Sequence, residues 1–322
     1  MNPDFEDYLL NVTNSSSYEE LEIIQSLWSG YGKISRYKLE GSVFETVIIK
    51  HISLNKSAEH PRGWNTSNSH NRKVKSYEVE TQWYQKWNQQ CNELCRTAKF
   101  IGSVSKNSEQ WIILEDLDSE FHLRKEALNL IEVKSCLKWL ANFHATFLGK
   151  SPEGLWRIGT YWHLDTRPDE LAKVQHRELK MKAHLIDEIL NGCNYQTIVH
   201  GDAKVANFCF SASGEKVAAV DFQYVGGGCG MKDVAYFLGS CLSSDQCETH
   251  NEKLLGYYFS ELKEALKNSN SNIEFKELET EWRAMFPIAW TDFTRFLLGW
   301  MPSHQKVNDY SLRFMKSVLP QL

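Results

Sequence analysis

The sequence predicts a mixed α+β chain in two lobes: a smaller amino-terminal lobe built on an antiparallel sheet with a helix, and a larger, mostly helical carboxy-terminal lobe. Three observations predict it. Between residues 27 and 54, short alternating or β-branched runs are broken by Ser29-Gly30-Tyr31-Gly32 and by Glu40-Gly41-Ser42, the pattern of antiparallel strands joined by tight turns. Beyond Asp116 the apolar period becomes helical, first over EVKSCLKWLANFHATFLG and then over most of the remaining chain. The length of 322 residues suffices for a sizeable core without a disulfide or metal to hold it together.

After the first strands, NKSAEHPRGWNTSNSHNR (55–72) is polar and turn-forming and reads as an exposed loop. KVKSYEVETQWYQKWNQQ follows, with Val74, Tyr77, Trp83, Tyr84 and Trp87 near one helical face. TAKFIGSVSKNSEQWIILEDLD returns to strands, and its apolar stretch from Trp111 to Leu114 stops at Glu115 and Asp116. That stop places the boundary between lobes 1–116 and 117–322. In the second lobe the helical stretches PDELAKVQHRELKMKAHLIDEILN and DVAYFLGSCL, and a long run from about residue 248, flank one strand-rich island, TIVHGDAKVANFCFSASGEKVAAVDFQYVGGGCG.

Charge and composition exclude several classes. Lys and Arg total 36 against 41 Asp and Glu, a net charge of −5 that invites neither nucleic acid nor an anionic membrane surface. The greasiest stretch, MFPIAWTDFTRFLLGWM, carries Asp292 and Arg295 and cannot span a bilayer. Eight scattered cysteines and the acidic start MNPDFEDYLL, which lacks a signal-peptide pattern, point to reduced thiols in a cytoplasmic protein. Cys91 and Cys95, with no second pair at zinc spacing, read as two structural thiols on one helix. His60 and His70 read as solvated loop residues, and no HExxH, GxSxG or Walker pattern occurs. The sequence leaves the oligomeric state open, a monomer included.

The strand-rich island carries the chemistry: His200-Gly201-Asp202, then Asn207 five positions after the Asp, then Asp221 in VDFQ. At about one in twenty per position, the four fixed residues would recur by chance in roughly two chains of this length per thousand. Phosphoryl transfer needs a carboxylate near the acceptor hydroxyl and oxygen ligands for a Mg²⁺ that bridges phosphates, and these side chains could supply both. Asp and Asn steadying the turns of a hairpin would explain the residue types but not their spacing.

On these residues the chain resembles the aminoglycoside phosphotransferase and choline kinase superfamily, small-molecule kinases that share the protein-kinase fold. The superfamily's HGDxxxxN stands here as HGDAKVAN, and its metal-binding Asp-Phe pair as VDFQ. YEVETQWY, LEDLD and DFTRFLLGW are most similar to its ecdysteroid kinase-like group. The resemblance implies a bilobal protein-kinase-like fold, ATP and Mg²⁺ as cofactors, and transfer of the γ-phosphate to a small-molecule alcohol. It implies Asp202 as catalytic base or hydroxyl-orienting carboxylate, Asn207 and Asp221 as Mg²⁺ ligands, and His200 as a brace of the catalytic loop. Lys204 would face the γ-phosphate, with an exposed loop lysine as the equal alternative. Lys50 ends the strand VIIK as nucleotide lysines do, with Glu80 as its expected carboxylate and Glu78 as the fallback. Gly30 and Gly32 form a partial glycine-rich loop, GxGxxS, which either covers phosphates or is an ordinary hairpin turn. Glu115 and Leu117 lie in the expected hinge, residues 114–118, whose backbone groups would meet adenine. Asp233 matches an acid that the superfamily keeps, although a helix N-cap accounts for it equally well.

About ten residues, many of them Gly, separate Asp221 from the next helical pattern, and no Ala-Pro-Glu closes the interval. A peptide platform is therefore not expected, and the acceptor should be compact. Candidate acceptor contacts are Tyr161 and Trp162 in LWRIGTYWHLDTRP, and Trp290, Asp292 and Arg295 in AWTDFTRFLLGW; helical aromatic stripes also read as core. The alternatives are a choline, ethanolamine or aminoglycoside kinase, and a nucleotide-binding pseudokinase without chemistry.

Overall fold

Residues 3–27, 30–54, 67–269 and 272–322 are described by the structure, a computed structural model. The chain divides into two units, Met1–Gln90 with Thr97–Glu120 and Cys91–Arg96 with Phe121–Leu322. The first unit thus ends at Glu120, four residues past the expected boundary at 116, and the short 91–96 segment belongs to the second unit.

The first unit contains α1 (Pro3–Thr13), β1 (Ser17–Ser26), β2 (Gly32–Glu40), β3 (Thr46–Ser53), α2 (Ser67–Gln82), β4 (Phe100–Lys106) and β5 (Glu109–Glu115). Its strands form one antiparallel sheet in the order β1-β2-β3-β5-β4. Successive strand residues face opposite sides. Val47 and Ile49 therefore join Phe5 and Leu9 of α1, with Tyr37, Leu39, Trp111 and Ile113, in one core. Lys50, one residue out of phase, faces the other side.

α2 starts at Ser67, inside the stretch read as loop, and a π turn over Trp83–Trp87 follows it and buries Trp83, Tyr84 and Trp87. Ser29 and residues 55–66, including His60, lie outside the described residues. His70 lies on α2, where its Nδ1 and the Tyr31 hydroxyl are 2.6 Å apart. Cys91 and Cys95 do not share a helix, because Cys95 ends a 3₁₀ turn that begins only at Glu93.

The second unit contains α3 (Leu130–Phe147), α4 (Pro168–Lys173), α5 (Arg177–Asn191), β6 (Thr197–Val199), β7 (Phe208–Phe210), β8 (Val217–Ala219) and β9 (Gly226–Gly228). It continues with α6 (Met231–Cys241), α7 (Ser244–Asn268), α8 (Phe275–Trp300) and α9 (Asp309–Val318). Capping boxes start α3 at Asn129 and Glu132, and α7 at Ser243 and Gln246. The 168–191 stretch forms two helices: Val174 leaves the helical backbone, and His176 caps α5 through the Leu179 N–H. The strand island folds as two antiparallel ribbons, β6 with β9 and β7 with β8. Among the described residues, no helix is long and apolar enough to cross a membrane.

Candidate active site

In the first unit β3 sets Lys50 between Ile34 of β2 and Ile112 of β5. An ammonium buried there needs a counter-charge. Glu80 of α2 supplies it at 2.6 Å, and both side chains are buried. Tyr77, on the same helical face, places its ring centroid 5.7 Å from the ammonium. Glu78 is exposed and lies beside Lys75. Gly32 has φ +140°, and a Cβ there would sit 1.9 Å from the His51 carbonyl oxygen, so only glycine lets the two strands approach so closely. Gly30 is also left-handed, at φ +71°. Glu115 donates its N–H to Lys99 O and accepts the Lys99 N–H on its carboxylate, both at 2.9 Å, so its own N–H is engaged within the sheet. Leu117 is buried and opens a 3₁₀ turn capped by Asp116.

In the second unit the HGD segment is anchored from behind by Asp233. This carboxylate, on the first turn of α6, accepts the N–H groups of His200 at 2.6 Å and Gly201 at 2.9 Å, and lies 3.2 Å from His144 Nε2. His200 braces the loop from the other side. Its Nε2–H donates to Val220 O at 3.0 Å and its Nδ1 accepts the Asp202 N–H at 3.3 Å, which fixes the tautomer and engages both ring nitrogens. Gly201 has φ +78°, and a Cβ would lie 2.1 Å from Tyr224 O. The tight turn ahead of Asp202 therefore requires glycine.

The buried Asp202 carboxylate is oriented by three donors. Oδ1 accepts the Tyr236 hydroxyl at 3.0 Å, and Oδ2 accepts Lys204 Nζ at 2.8 Å and Asn207 Nδ2 at 3.1 Å. Asn207 Nδ2 also donates to Asp202 O at 2.8 Å, which turns the amide oxygen the other way. The Val220 N–H donates to Asn207 O at 3.0 Å, one step beyond the Phe208–Ala219 pair of the β7/β8 ladder. Asn207 and Asp221 consequently stand at the same end of that ribbon. Asp221 holds a left-handed backbone, φ +66°, a conformation that proteins concentrate at functional sites. Burial pulls the Lys204 ammonium down, but Asp202, and Asp221 after it, outweigh burial and hold it above the ordinary lysine value. The structure thus brings Asp202, Lys204, Asn207 and Asp221 together, with His200 bracing them.

Residues 161–271 match the ecdysteroid kinase-like family. The matched segment contains the HGDAKVAN stretch, Asp221 and Asp233. No curated protein matches the chain. Choline kinase from Cryptosporidium parvum Iowa II has TM-score 0.57 and 12% identity, over 99% of this chain and 97% of its own. The microcompartment-associated aminopropanol kinase has TM-score 0.52 and 15% identity, over 98% and 94%. The Plasmodium vivax ethanolamine kinase has TM-score 0.50 and 12% identity, over 98% and 84%. At such identities the likeness is one of fold: this chain has the kinase-like fold, with its antiparallel five-stranded sheet and larger helical part.

Four of the five expected acceptor contacts have polar partners within the protein. Trp162 Nε1 donates to Asp292 Oδ2 at 2.9 Å, Arg295 Nε donates to Asp292 Oδ1 at 2.9 Å, and Arg295 Nη2 reaches Trp162 O at 3.1 Å. All three side chains are buried and brace α8 against the 160–163 segment. Trp290 is also interior, donating to Ser311 Oγ at 2.9 Å. The Asp292 carboxylate, in a greasy helix, has a partner three residues away in Arg295. Tyr161 is the exception. Its N–H donates to Gly201 O at 3.1 Å, and its ring centroid lies 5.6 Å from that of Tyr236. Burial first, and then the Asp202 charge, raise both phenols well above their ordinary value. Tyr236 was missed because it looks like core of α6; its position three residues after Asp233, on the same helical face, was the available signal.

Proposed function

We propose that this chain is an ATP- and Mg²⁺-dependent phosphotransferase that moves the γ-phosphoryl group onto a hydroxyl of a small organic molecule. The observation that carries this reading is the convergence of Asp202, Asn207 and Asp221 at one end of the β7/β8 ribbon. The donor set fits the metal: Mg²⁺ takes one or two protein oxygens and leaves its other positions to water and phosphate. The Asn207 amide oxygen, turned away from Asp202, and the Asp221 carboxylate would be those oxygens. Mg²⁺ held there offsets charge on the phosphates. Asp202 takes the proton of the acceptor hydroxyl as that oxygen bonds to the γ-phosphorus and the bridging oxygen leaves with ADP. Lys204 stays cationic beside it. Lys50, with Glu80, serves the nucleotide phosphates, Gly30 and Gly32 lie in the turn ahead of β2 that would cover them, and Leu117 lies in the adenine-binding segment. The short path from Asp221 to α6 supports a compact acceptor, as do the matched family and the fold-sharing kinases of choline, aminopropanol and ethanolamine.

The test is ADP release by the purified protein with Mg-ATP across a panel of alcohols. Asp202→Asn is expected to lower turnover by about 10²- to 10⁴-fold while nucleotide binding persists. Undiminished turnover in that variant would remove Asp202 from its role. Thermal stabilisation by Mg-ATP with no ADP release on any acceptor would instead mark a nucleotide-binding module.

A further inference from the structure

Thr160 combines two penalties in one residue. Its backbone holds φ +107°, a conformation left mostly to glycine and a genuine outlier for a β-branched side chain. Its hydroxyl is buried and has no hydrogen-bond partner among the described residues. Both penalties fall beside the proposed catalytic groups. The Thr160 N–H donates to Tyr224 O at 3.2 Å, three residues past Asp221. The next N–H along the chain, that of Tyr161, donates to Gly201 O at 3.1 Å, one residue ahead of Asp202. The approach is close: a Cβ on Gly201 would lie 2.1 Å from Tyr224 O and 2.8 Å from Thr160 N.

These two N–H groups flank one α-carbon, so the backbone angles of Thr160 set the directions in which they point. The left-handed turn lets neighbouring donors serve two different segments, and the pair of bonds clasps the peptide before Asp202 to the stretch after Asp221. Glycine would adopt this turn without strain, and glycine stands around it at 159, 201, 226, 227 and 228. Position 160 has threonine instead. A β-branched side chain is stiff at χ1 and admits few backbone wells, whereas glycine ranges over both signs of φ. The branch thus keeps narrow a turn that the surroundings impose, and strain over-determined in this way clusters at functional sites.

We infer that Thr160 is a positioning residue for the proposed transfer: its branched side chain stiffens the clasp that sets Asp202 relative to Asp221, at a cost in stability. The inference rests on the phosphotransferase reading and adds to it a residue that touches neither substrate nor metal.

The test compares two variants. Thr160→Gly removes the strain and the unsatisfied hydroxyl together, and Thr160→Val removes the hydroxyl but keeps the branch. The relief outweighs what glycine gains in freedom when unfolded, so both variants should unfold at higher urea midpoints than the wild type, with unchanged slopes. Hydrogen exchange of the Tyr161 N–H reads the clasp itself. It should be at least about tenfold faster in Thr160→Gly, and as slow in Thr160→Val as in the wild type. With Mg-ATP and an accepted alcohol, Thr160→Gly should turn over about tenfold more slowly than Thr160→Val at an equal KM for ATP. A lower midpoint in either variant, exchange no faster in the Gly variant, equal acceleration in both, or equal turnover would overturn the inference. Absence of ADP release from all three proteins on every alcohol would count against phosphotransfer and not against the clasp, which the midpoints and the exchange still decide.

Discussion

Asp233 accepts N–H groups from two consecutive residues ahead of Asp202, so removing its carboxylate leaves both donors, and His144 Nε2, buried without an acceptor. Each orphaned group costs about 1–3 kcal/mol. Asp233→Ala is therefore expected to lower the unfolding free energy by about 3 kcal/mol or more in urea titrations and to impair phosphotransfer, because Asp202 rides on that loop. Asp233→Asn keeps one acceptor oxygen and should lose less; equal losses in the two variants would contradict the anchoring role. The HGD motif was legible because its chemistry and its spacing lie within a few residues. The Trp162, Asp292 and Arg295 network was not, since partners 130 positions apart satisfy one another only after folding, and beforehand they look like groups awaiting a ligand.

At the level of elements, β2, β3 and β5 announced themselves through alternation and turn glycines, whereas α1 and β1 gave no such signal. PDFEDYLLNVT is a short helix that becomes stable by inserting Phe5 and Leu9 into the sheet's core, and Phe5 stacks on Trp111 at 4.9 Å. β1 is exposed along almost its whole length, so no apolar period marks it, and pairing with β2 defines it. Asp116, just past β5, ties three strands together. It accepts Arg36 Nε of β2 at 2.7 Å and the Thr46 hydroxyl of β3 at 2.8 Å. Burial raises this carboxyl, but Arg36, the Asp118 N–H and Thr46 together hold it below its ordinary value. The unfolded chain, at about 3.9, thus binds the proton more readily than the folded one. The stabilisation is complete above that value and is lost as pH falls through the depressed folded value. Urea midpoints measured down to low pH should accordingly decline less steeply in Asp116→Asn than in the wild type, and parallel acid limbs would refute the assignment.

For the molecule as a whole, the eight cysteines form no disulfide, and among them Cys91 and Cys241 are partly accessible. Burial raises the Cys241 thiol well above its ordinary value, and reactivity follows the thiolate. Native labelling with a disulfide reagent should show one fast thiol, lost in Cys91→Ser, and the remainder only on unfolding; several fast thiols would argue against this packing. The bond from the Val220 N–H to Asn207 O bears on how distant kin can be recognised. Ladder pairing, and not the count of intervening letters, keeps Asn207 and Asp221 neighbours. The bend between β7 and β8 is therefore free to grow or shrink during evolution without parting them, and a search pattern with fixed ends and an elastic middle would retrieve cousins that a rigid string discards.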